Sequence, residues 1–117
     1  MTDSTDPAAL VAKIDQQVSH LWMVRTFLKH SDEATDDEEL AEVHRELYDF
    51  MLAVGPSLEQ GDYSQYLHLA RKKLSKLQKC ALQFEAIQPE VSGHMNFRMS
   101  ARSLRTAVDT IGQLLNT

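Results

Sequence analysis

Apolar residues recur along this chain at intervals of three and four, the spacing that places them on one face of an α-helix. Leu10, Ile14, Gln17, Leu21, Val24 and Leu28 step by +4, +3, +4, +3 and +4, and Val11 and Val18 widen the stripe. Asp6-Pro7 precedes it as N-cap and first helical residue, because proline lacks the N–H that a first turn cannot use. The pattern predicts a helix from Pro7 to about Lys29. A second stripe comprises Leu40, Val43, Leu47, Phe50 and Val54. Thr35 and Glu38 in TDDEE have the spacing of a capping box, with carboxylates at the positive end of the helix dipole, and Gly55-Pro56 marks the stop.

Tyr63, Leu67, Ala70, Leu74, Leu77, Ala81 and Phe84 form the third stripe, starting after Gly61-Asp62. Pro89 breaks it and suits the first turn of another helix, with Ser92-Gly93 leaving the start loosely defined. His94, Phe97, Ala101, Leu104, Val108, Ile111 and Leu115 carry the rhythm to the carboxy terminus. No segment alternates as a strand does. The expectation is an all-α protein: an antiparallel up-down-up-down four-helix bundle with helices over roughly 7–29, 36–54, 62–87 and 90–115. A chain of 117 residues supports one core, so 1–117 reads as a single domain, with residues 1–5 disordered.

Charge adds an asymmetry. The net charge is −5, yet residues 1–62 carry fourteen acidic and four basic side chains whereas residues 63–117 carry three and eight. The halves are expected to attract, with arginines of the fourth helix pairing with carboxylates of the second. Lys72, Lys76 and Lys79 share an outward stripe, but without interleaved aromatics or a recognised motif this face argues against nucleic acid as partner. No apolar run approaches a bilayer span, and MTDSTDPAAL lacks the basic and apolar regions of a signal peptide. With the lone Cys80, these features point to a cytoplasmic protein.

HLWMVRTFLKHSDEATDDEE gathers two of the five histidines, the only tryptophan and a run of acids. In the expected bundle, His20, Arg25, His30, His44, Cys80, His94 and Arg98 share one half of the molecule. A ligand, metal or anion site, catalytic or not, would use His20, Arg25, His94 and Arg98, with His94 turned into the core and Glu90 one turn before it. No catalytic motif is recognised and no cofactor is implied. The chain lacks the Glu-x-x-His of dimetal bundles, the acidic run lacks EF-hand spacing, and RTFLKHS fails to align with the H-x-L-K-G of phosphotransfer bundles.

The leading expectation is therefore a non-enzymatic interaction or scaffold protein. Trp22, Met23 and Phe27 fall off the first stripe, and Met95 and Met99 fall off the fourth. A contiguous apolar surface of this kind needs covering, most simply by a second copy in a homodimer, although another protein partner would also serve.

SHLWMVRTFLKHSDEATDDEELAEVHRELYDFMLA and SGHMNFRMSARSL resemble a small family of uncharacterised bacterial all-helical proteins, some of which carry an automatic amidohydrolase label. The residues do not support that label. Amidohydrolases are large barrel enzymes with a His-x-His metal motif, and this chain has neither the length nor the motif.

Overall fold

The computed structural model describes residues 6–116, which are all-helical with no strand. Residues 1–5, expected to be disordered, lie outside the described residues. Four long helices and one short one follow in order: α1 (Pro7–Lys29), α2 (Asp32–Asp36), α3 (Glu38–Glu59), α4 (Tyr63–Val91) and α5 (Met95–Leu115).

α1 begins and ends where its pattern predicts. Asp6 caps it by accepting a hydrogen bond from the Ala8 amide at 3.1 Å. The acidic run behaves differently from the expected capping box. Ser31 opens the separate turn of α2, its Oγ accepting from the Ala34 amide at 3.2 Å. Asp37 then caps α3 by accepting from the Leu40 amide at 3.0 Å. The carboxylate nearest the first orphan amides has taken the role assigned to Thr35.

Gly55-Pro56 does not end α3, which continues to Glu59 with Pro56 inside it. A residue before proline is normally pushed out of the helical region because its own substituents meet the pyrrolidine ring. Gly55 has no Cβ to clash, and the carbonyl that Pro56 leaves unpaired belongs to the exposed Leu52. Glycine here lets the helix pass its proline.

The left-handed residue that stops α3 is Gly61, at φ 67°. The Asp62 amide donates to Ser57 O at 2.9 Å and the Gly61 amide to Leu58 O at 3.1 Å, the paired bonds of a Schellman closure. Asp62 at once caps α4 by accepting from the Gln65 amide at 3.1 Å. Gly61→Ala places a Cβ where the left-handed backbone disfavours one. It is expected to cost about 1–2 kcal/mol in urea unfolding while leaving the helical circular dichroism unchanged.

Pro89 likewise lies inside α4, near its exposed end, rather than opening the last helix. Extended Ser92 interrupts the chain, and α5 starts at Met95, not near residue 90. His94 is its N-cap, with Nδ1 accepting from the Asn96 amide at 3.0 Å.

The stripes form one core. Leu10, Ile14, Leu21, Val24 and Leu28 of α1 meet Leu40, Val43, Leu47, Phe50 and Val54 of α3, together with Leu77, Ala81 and Phe84 of α4 and Phe97, Leu104, Val108 and Ile111 of α5. Burial of this apolar surface is the main force holding the helices together. α1 packs on α3 and α5, and α4 packs on the same two. Tyr66 is fully buried, and its hydroxyl donates to Asp15 Oδ1 at 3.2 Å, whereas the expected core residue Tyr63 sits at the surface. Three residues move a side chain by nearly one helical turn, so the stripe alone does not choose between these tyrosines.

The expected pairing of fourth-helix arginines with second-helix carboxylates is absent among the described residues. Arg105 of α5 bonds Glu85 of α4 at 2.8 Å and Asp109 of its own helix at 3.2 Å. α5 packs on α1 and α4, which puts the carboxylates of α3 out of reach. Arg45, the α3 arginine with an ion pair, bonds Glu38 of the same helix at 2.6 Å.

Candidate functional site

The four residues expected to form a site occupy three different settings. His20 is exposed on α1 toward α5, its Nδ1 3.3 Å from Ser103 Oγ. The two line a shallow groove of about 340 Å³ with Gln17, Met99 and Arg102. His94 points out as a helix cap instead of into the core, because α5 starts later than its stripe suggests. Nine residues separate it from Ser103, about 13 Å along a helix. Glu90 ends up on α4 and His94 ahead of α5, so they do not share a helical face. Arg98 is exposed. Among the described residues, no three His, Cys, Asp or Glu side chains are grouped to hold a metal ion.

Arg25 lies on the other flank of α1, facing α3. Its guanidinium carbon stands over the Tyr48 ring at 4.4 Å from the centroid and over the Trp22 ring at 5.2 Å. Trp22 precedes Arg25 by three positions on the same helix, so the two share a flank, and Tyr48 is brought in by the packing of α3 on α1. Cation–π attraction of this kind holds the guanidinium against both rings. Arg25 Nε is buried and has no hydrogen-bond partner among the described residues.

Arg25 borders a groove of about 740 Å³ lined by residues of α1, α3 and α4. Its two flanks differ in charge. Toward α4, the α3 carboxylates Glu42, Glu46 and Asp49 share a face and stand with Lys76 and Lys79. Toward α1, His44 and Tyr48 stand with Arg25 and Lys29. Burial, followed by the positive charges of Arg45, Arg25 and Lys29, holds the His44 imidazole below its ordinary value.

Cys80 lies at the base of the groove but is almost fully buried, and its thiol donates to Val43 O at 3.5 Å. Burial pushes the thiol up to about 12, with Glu46 adding to the shift. A thiol held protonated in this way is a poor nucleophile.

The apolar surface also divides. Trp22 is 48% exposed and Met23 65%, while Met95 and Met99 on α5 are 54% and 41% exposed. Phe27 departs from the expected exposed set. It is half-buried and meets Phe97 edge-on, with ring centroids 4.9 Å apart. It lies on the α1 flank against which α5 packs, so the bundle itself covers it.

Sequence reasoning passed over Tyr48 and Leu52, both exposed and one turn apart on α3. The signal was present: they fall off the stripe Leu47, Phe50, Val54 just as Trp22 falls off its own. Their nearness to Arg25 depends on a packing contact between helices. No protein-family model, curated protein or solved structure matches this chain.

Proposed function

We propose that this protein is a non-enzymatic helical interaction module of the cytoplasm that self-associates through α1 and the start of α5. The observation that carries this reading is the exposure of Trp22 and Met23 on a helix whose core face is already supplied by Leu21, Val24 and Leu28. Met95 and Met99 are exposed as well, on the helix packed against α1. Tryptophan and methionine are enriched at the centres of protein interfaces, where a large side chain is desolvated at modest entropic cost. A surface repeated on every copy is used most simply about a two-fold axis.

In this reading the four long helices form an antiparallel up-down-up-down bundle, with α2 as an inserted turn. Contacts between partners support it: Phe27 with Phe97, Cys80 with Val43, and Arg71 with the Leu115 carbonyl each join an earlier position on one helix to a later position on the one packed against it. The arrangement presents the outer side of α1 between the faces of α3 and α5.

Light scattering at about 10 µM tests the assembly, with twice the 13.3 kDa chain mass expected. Combined Trp22→Glu and Met23→Glu is expected to return the mass to that of one chain without loss of helicity. A wild-type protein that stays monomeric to about 100 µM overturns the proposal.

A further inference from the structure

The Arg25 side chain has an arrangement that self-association through Trp22 and Met23 does not use. Its charge is partnered by no carboxylate among the described residues, its Nε is buried without a hydrogen bond, and its guanidinium carbon lies over two aromatic rings. Nε is sealed from solvent, so an anion in the groove meets the guanidinium through its terminal nitrogens. Contact with Tyr48 and Trp22 restrains the side chain before any ligand arrives, so less side-chain freedom is lost on binding.

The surroundings suit an anion. Lys29 follows Arg25 by one turn on the same flank, and His44 faces them from α3. Arg45 is engaged by Glu38. The carboxylates of the groove, Glu42, Glu46 and Asp49, stand on the opposite flank of α3 with Lys76 and Lys79, so the groove has three carboxylates against two lysines on the α4 side and is cationic on the α1 side. Tyr48 and the exposed Leu52 supply an apolar wall beside the cations.

We infer that the α1-facing half of the α3 groove binds a small organic oxyanion, with the head group taken by Arg25 and Lys29 and a flat apolar body resting on Tyr48 and Leu52. Carboxylate and phosphate head groups share the required geometry, since two oxygens of either meet the guanidinium fork. The bound anion offsets the positive field around His44, which then takes up a proton more readily. The site shares Trp22 with the proposed dimer surface but uses neither Met23 nor the methionines of α5, so Met23→Glu alone tests assembly without touching the Arg25 contacts.

Two probes separate the head groups: benzoate for the carboxylate and phenyl phosphate for the phosphate. Amide and histidine chemical shifts, followed by nuclear magnetic resonance during titration to about 10 mM, give the affinity and place the ligand. Saturable shifts centred on Arg25, Lys29, His44 and Tyr48 are expected with at least one probe, together with a higher His44 pKa in the saturated protein. Arg25→Gln is expected to weaken binding about tenfold or more, as loss of a charge-assisted bidentate contact implies. Lys29→Gln, at an exposed position that leaves the stack untouched, gives a second variant and is expected to weaken binding severalfold. Shifts with neither probe, binding unchanged in both variants, or shifts centred on the Lys76 and Lys79 side overturn the inference. Light scattering on the same samples reads assembly separately, so failure of the dimer and failure of the anion site are distinguished.

Discussion

Leu21→Asp is expected to abolish the cooperative thermal transition at neutral pH, whereas Met23→Asp, two residues away, leaves it in place. Leu21 is completely buried in the α1 stripe, while Met23 is the more exposed of the two off-stripe residues beside it. Burying a carboxylate without a partner costs several kcal/mol, to which the loss of leucine packing adds about 2–5 kcal/mol. A chain of this length has a total stability of about 6–18 kcal/mol, so the combined effect removes most or all of it. The new carboxyl is held above the ordinary carboxylate range in the folded state, because burial disfavours its charged form. Stability relative to the wild type is therefore lowest above that raised value and recovers as pH falls through it. Circular dichroism melts of both variants at pH 5 and pH 8 check each part. Cooperative melting of Leu21→Asp at pH 8 near the wild-type midpoint would show that the α1 register is wrong.

Phe84→Ala is the second large effect. The ring lies in the middle of the core and is fully shielded from water. Truncation removes its transfer energy and leaves a cavity that four packed helices cannot close, at about 3–5 kcal/mol. For a domain of this size that lowers the melting temperature by about 12–25 °C. Leu82→Ala, on the same helix but half in solvent, provides the contrast and should change stability by no more than about 0.5 kcal/mol. Calorimetry on the pair measures both. Equal losses at the two positions would place the solvent face of α4 in an interface.

Phe84 and Leu21 were legible as core because a long helix must bury the face its apolar residues share, whatever its neighbours are. The same logic exposed Trp22 and Met23, which no single stripe of α1 accommodates. Helix ends were read less well, for identifiable reasons. Gly55 and Pro56 are each helix breakers in isolation, but glycine removes the clash that proline imposes on the residue before it. Thr35 would accept from the Glu38 amide and Asp37 accepts from the Leu40 amide, and which of them caps depends on where α2 closes. The stripe of α5 extends back through His94, yet its imidazole is used to cap the helix, so periodicity continued past the real boundary.

The sequence by itself determined that the chain is helical, which faces of its long helices are buried, and that α1 carries more apolar surface than one core needs. These are local properties, set by spacing along the chain and by the need of every apolar face for cover. Only the tertiary structure decided which side chains meet. It separated His20 from His94, turned Phe27 onto Phe97, and placed Arg25 over Tyr48 beside His44. Those pairings depend on the angle at which each helix presents its flanks to two neighbours. Residues half a turn from a stripe can face either neighbour or water, and packing alone selects among them.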